Sequence, residues 1–100
     1  MRRANTTRSG GTFPTGTVQQ VWNKGRPVAG YNPYSVRADA CGAPMSLSDY
    51  GNTSSPYGWE VDHIRPVAHG GSDELWNLQP LQWQNNRRKG DDYPNWTCAV

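Results

Sequence analysis

The stretch from Gly58 to Gly90 constrains this chain most, because short hydrophobic runs alternate there with breaks that no regular element can cross. Gly58-Trp59-Glu60-Val61-Asp62-His63-Ile64 reads as a strand with Trp59 and Val61 on one face. Pro66 lacks a backbone donor, so regular pairing should stop before it. His69-Gly70-Gly71-Ser72-Asp73 reads as a loop, and Leu75 to Gln79 as a return strand. Leu81 to Lys89 holds strong helix formers, with Pro80 tolerated at the first helical position and Gly90 past the end. The predicted order is strand, loop, strand, helix.

The rest of the chain must serve that unit, since 100 residues is one domain by the usual size range. Only 34% of the residues are hydrophobic, so five Trp and five Tyr are expected to anchor a thin core. Residues 1–16 lack periodicity, are rich in Gly, Thr, Ser and Arg, and read as a flexible basic arm, whose Arg2, Arg3 and Arg8, like Arg87 to Lys89, form a charge block that suits a phosphate backbone or a solvated face. Thr17 to Gly25 reads as a short helix, capped by Thr17 and stopped by Gly25, with Val18, Val21 and Trp22 on one face. From Arg26 to Tyr57, repeated Pro and Gly predict turns and short extended pieces, with Tyr31, Tyr34 and Tyr50 packed beneath the 58–90 stretch. The fold class is α+β, a small single domain with a short helix and irregular, loop-rich segments before its core.

Within that core, Asp62 and His63 are adjacent, and Asn77, Asn85 and Asn86 stand close to a basic cluster. An acid beside a base, amide oxygens and nearby positive charge are what metal-assisted attack on a phosphodiester requires. His63 is the candidate general base, because an imidazole of pKa about 6.5 accepts a proton from water near neutral pH. Asp62 is the candidate metal ligand. Neighbours on a regular strand point to opposite faces, so the strand should end or twist here if both serve one site. Arg65, Arg87, Arg88 and Lys89 are candidates for phosphate contact, with a solvated helix face as the plain alternative for each. Glu60 reads as a surface strand carboxylate, with an acid supporting the site as the alternative, His69 as exposed, and Asp91 and Asp92 carry no assigned chemistry.

Asp62-His63-Ile64-x-Pro66, then Gly70-Gly71, Asn77-Leu78 and Asn86-x-x-Lys89, resembles the HNH endonucleases of the ββα-metal class. Thirteen residues separate His63 from Asn77 and eight separate Asn77 from Asn86, and the likeness covers about residues 58–91. Residues 20–57 are similar to the upstream part of small stand-alone members. The resemblance implies a ββα-metal core within an HNH domain spanning 17–100. It implies catalytic parts for His63, Asp62, Asn77 and Asn86, with Asn77 bonding backbone across the loop to hold His63 in position. Asn86 takes the third namesake place as a second metal ligand. Asn85 is its rival, but Asn86 shares a helix face with Lys89 three residues on. Two oxygen ligands completed by water and phosphate suit one divalent ion, Mg²⁺ before Mn²⁺.

Many members of that family carry two CxxC pairs around a structural zinc. Here Cys41-Gly42 resembles a remnant, with Ala38 at its partner's place and Gln82 and Asn85 where the second pair would stand. Four thiolates are lacking, so no structural zinc is expected, and packing of Trp22, Trp59, Trp76 and Trp83, joined by Trp96, is expected to replace it. Cys41 and Cys98 read as reduced thiols, with one bridge tethering the C-terminus as the alternative. The implied activity is hydrolysis of DNA, RNA staying open, by a monomer or weak homodimer. A non-catalytic DNA-binding module on the same fold is the alternative. No apolar run is long enough for a membrane span and no leader follows Met1, so a cytoplasmic protein is expected, with a delivered toxin left open.

Overall fold

The computed structural model describes residues 2–100. Its first helix, α1 (Thr15–Trp22), starts directly after Pro14, two residues before the expected Thr17 cap. Val21 and Trp22 are fully buried, and Val18 packs beside them. Three short strands follow, β1 (Arg26–Pro27), β2 (Val36–Ala38) and β3 (Pro44–Ser46), in an antiparallel sheet of that order. β4 (Trp59–His63) and β5 (Leu78–Gln82) form a separate antiparallel pair, with Trp59 opposite Gln82 and His63 opposite Leu78. α2 (Trp83–Lys89) follows β5 without a break. The strand, loop, strand, helix order thus holds, in a small α+β domain.

Around β5 the boundaries also differ from expectation, for local reasons. Leu75–Asn77 is a single 3₁₀ turn, and the return strand begins only at Leu78. Pro80 and Leu81 belong to this strand instead of opening the helix. Proline is tolerated because a two-stranded pair leaves each strand a free edge. α2 starts at Trp83 because the Gln82 side-chain oxygen accepts from the amides of Gln84 (2.7 Å) and Asn85 (3.2 Å), satisfying two otherwise orphaned donors.

All five residues of β4 are buried, so neither of its faces meets bulk solvent. One face enters the core, where Phe13, Val21, Trp22, Met45, Trp59, Val61 and Leu78 meet. Trp59 is flanked by Trp22 and Tyr50, with ring centroids 5.1 and 4.9 Å away. Tilted pairs of this kind add to the area term. Trp76 does not join them: it is 71% exposed, and Tyr31 and Tyr34 are exposed as well. The other face of β4 carries Glu60 and Asp62, and α2 covers both.

Residues 2–14 fold onto this core instead of forming a free arm; Met1 of that expected arm lies outside the described residues. Phe13 is buried, Thr6 and Thr12 bridge, and Asn5 Oδ1 accepts the Val61 amide at 2.8 Å. The burial of one aromatic ring and the pairing of an otherwise open strand edge outweigh the polar composition that suggested mobility.

The two cysteines are bonded to each other, Cys41 to Cys98, which corrects the expectation of reduced thiols. The bridge closes over a buried carboxylate. Asp39 Oδ1 accepts the amides of Cys41 and Ala43, and Oδ2 accepts the Gln82 amide and Asn85 Nδ2, all at 2.9 Å. Asn85 Oδ1 in turn accepts the amides of Ala99 and Val100. Positions 82 and 85 are therefore tied by hydrogen bonds to one aspartate and the bridged tail. No helix among the described residues is long and apolar enough to cross a membrane.

Candidate active site

Strand β4 ends at His63 because Pro66 follows, and the loop it opens is held shut by one side chain. Asn77 Oδ1 accepts the Arg65 amide (2.8 Å), while Nδ2 donates to the carbonyls of Arg65 (3.1 Å) and Ser72 (2.8 Å). The Ile64 amide also donates to the Asn77 carbonyl at 2.7 Å. Gly71 is required in this closure, since a Cβ there would sit 1.7 Å from the Arg65 carbonyl oxygen. Asn77 therefore bonds backbone across the loop and makes no hydrogen bond to the His63 ring.

Asp62 and His63 project from opposite faces of β4, as the strand rule requires, yet both line one pocket at the strand's end. The pocket has a volume of about 610 Å³, and Asn86, Arg87, Arg2, Arg3 and Asn5 also line it. Three expected residues, Asp62, His63 and Asn86, are thus brought together. Asn86 Nδ2 donates to Glu60 Oε1 at 2.8 Å, which leaves its carbonyl oxygen without a hydrogen-bond partner among the described residues. Its rival Asn85 is fully buried in the Asp39 network and does not line the pocket.

His63 is 9% exposed. Its Nε2 lies 2.8 Å from Asp73 Oδ1, and the Phe13 ring packs 5.9 Å from its centre. Asp73 itself accepts the Arg8 amide on both oxygens, at 2.9 and 3.1 Å. Asp62 accepts from Lys89 Nζ on Oδ1 (3.2 Å) and from Gln79 Nε2 on Oδ2 (2.9 Å). Burial pushes its carboxyl above the usual range, opposed by the Gln79 hydrogen bond and then by the Lys89 charge. The burial effect dominates despite the ion pair, because Asp62 is only 6% exposed.

Of the four residues expected at phosphate, Arg87 alone lines the pocket. Its guanidinium donates to Glu60 Oε2 at 2.9 Å. Arg65 and Arg88 are exposed elsewhere, with Arg65 Nε on the His69 carbonyl. Lys89 does not fit that expectation: it is 1% exposed, with its ammonium on Asp62 and on the His63 carbonyl (3.0 Å). Asn85 and Lys89, four apart, share the inner face of α2, whereas Arg87 and Arg88 face outward.

Sequence reasoning ranked Glu60 wrongly and gave Asp73 no part. Glu60, read as a surface carboxylate, is 1% exposed and orients both Asn86 and Arg87. Period-two spacing from Asp62 puts it on the same face, a signal that was present. Arg2 and Arg3, whose charge block suits a phosphate backbone, line the pocket through the folding of residues 2–14, and Asp73 reaches His63 from within a loop. Asp73 carries no local sequence signal.

A carboxylate, an amide oxygen and an oriented imidazole in one pocket with arginines are groups that hydrolytic chemistry on an anionic substrate can use. Comparison with curated proteins and with solved structures gives no match. The family model described as HNH endonuclease matches residues 39–92, more than half of the chain and all of Asp62, His63, Asn77 and Asn86. On that match, the chain belongs to the HNH endonuclease family.

Proposed function

We propose that this chain is a metal-dependent endonuclease that hydrolyses DNA phosphodiester bonds, with His63 as general base. The observation that carries the reading is the convergence of Asp62, His63 and Asn86 on one arginine-rimmed pocket. His63 takes a proton from a water molecule, whose oxygen attacks phosphorus. The bond to the 3′ oxygen breaks on the opposite side, and that oxygen is protonated from solvent. Asp62 and Asn86 would hold one divalent cation, Mg²⁺ before Mn²⁺, because both offer hard oxygen and the Asn86 carbonyl has no internal partner. Such an ion supplies charge neutralisation at the phosphate and the leaving oxygen. Arg87, with Glu60 fixing its guanidinium, stabilises the same charge from the rim. No group of three His, Cys, Asp or Glu among the described residues could hold a metal, so the protein side of the site is sparse and leaves places for water and phosphate oxygens.

A second reading has its own supporting observation. Both Asp62 oxygens already have partners in Lys89 and Gln79, as suits a DNA-binding module that does not turn over. Incubating supercoiled plasmid and a structured RNA with the protein in Mg²⁺, Mn²⁺ or EDTA separates the two. The expected result is nicking of DNA in either metal and none in EDTA. Salt-sensitive DNA binding without cutting in either metal would establish the binding module instead.

A further inference from the structure

We infer that Asp73 is a positioning residue for His63, fixing the imidazole as its Nε2–H tautomer so that Nδ1 presents a lone pair to the pocket. The inference deepens the nuclease reading, and its catalytic half rests on it.

The geometry is a relay of fixed contacts. Asn77 Nδ2 holds the Ser72 carbonyl, which places the next residue, Asp73. The Arg8 amide then locks the Asp73 carboxylate from the other side, using both oxygens. A carboxylate only accepts, so the proton in the 2.8 Å contact lies on Nε2. In a neutral ring that leaves Nδ1 as the acceptor. Nδ1 has no hydrogen-bond partner among the described residues, and no buried side-chain nitrogen or oxygen there lacks one, so Nδ1 opens to the pocket. Phe13 against the ring opposes its rotation. Asn77 thus orients the base through Asp73, and residues 2–13 contribute to the reaction by gripping Asp73 and closing one wall of the pocket. A base held by a third group is the general arrangement for activating water or a hydroxyl.

The test uses the full ¹⁵N-labelled chain at a pH where the imidazole is neutral, reading the His63 tautomer from long-range ¹H–¹⁵N correlations assigned with His63→Ala. The expected wild-type signal is Nε2–H. Asp73→Ala should give a mixture of tautomers, with kcat for plasmid nicking down about 10- to 100-fold and KM little changed. A wild-type ring protonated on Nδ1 would overturn the inference and needs no variant to observe. Tautomer and kcat both unchanged in Asp73→Ala would overturn it, as would a changed tautomer at unchanged kcat. If wild type holds Nε2–H, Asp73→Ala loses it and neither cuts DNA, the ring positioning is supported and the nuclease reading alone fails.

Discussion

Lys89 supports the candidate site from inside the fold. Its ammonium is enclosed with the Asp62 carboxylate and caps the His63 carbonyl, so it holds together the end of β4 from which both site residues project. Removing one member of a buried pair strands the other charge, which is worse than the pair is good. Lys89→Met should therefore lower unfolding free energy by about 3–5 kcal/mol, measured by urea denaturation. A loss below about 1 kcal/mol would place the pair in solvent, where such contacts contribute little. Tyr50 gives a pH-dependent counterpart. Burial raises its phenol pKa above the ordinary value, with the Glu60 charge adding to it. Between the unfolded and folded values the native state keeps a proton that the unfolded chain releases, so stability falls as pH rises above about 10. Tyr50→Phe should show a shallower alkaline loss of melting temperature than wild type, with equal slopes below that range.

Trp22 and Trp59 pack as expected in place of a zinc, but around Cys41, Gln82 and Asn85 the elements are joined by polar ties. Asp39 links the turn before β3 to the start of α2, and the Cys41–Cys98 bridge pins the tail whose amides satisfy Asn85. Positions 41, 82 and 85, which resembled a vacated cysteine set, lie around that one carboxylate. Cys98→Ser should cost about 2–5 kcal/mol, measured by urea denaturation against oxidised wild type. Reduced wild type should match the variant, and identical curves for all three would show that the bridge does not constrain the chain. Disulfides persist in oxidising surroundings and are scarce in reducing ones, so thiol counting on protein taken directly from its host bears on the expected cytoplasmic location. Much of β4, the Gly70-Gly71 loop and α2 was legible, because period-two alternation, glycine and proline breaks and helix formers are local signals. The start of α2 was not, since Pro80 suits both a helix start and an edge strand, and the deciding cap comes from Gln82.

Across the whole molecule, the site residues that carry a motif were legible and those delivered by distant contacts were not. Asp62, His63 and Asn86, singled out by their motif, line one pocket. Asn5 on Val61 and Arg8 on Asp73 join residues 56 and 65 positions apart, and no local pattern encodes such contacts. With those contacts made, Arg2 and Arg3 line the same pocket as Arg87. A phosphate backbone held there should bind with a logarithmic salt slope that Arg87→Ala reduces by about 1, measured by fluorescence anisotropy with labelled duplex DNA. An unchanged slope would place the backbone elsewhere. The proposed nuclease activity turns on His63 as the base, and the decisive measurement is plasmid nicking in Mg²⁺ by His63→Ala beside wild type, with folding checked by melting. We predict a rate loss of about 10²- to 10⁴-fold, the usual contribution of a positioned base. Equal cutting by folded variant and wild type would contradict it.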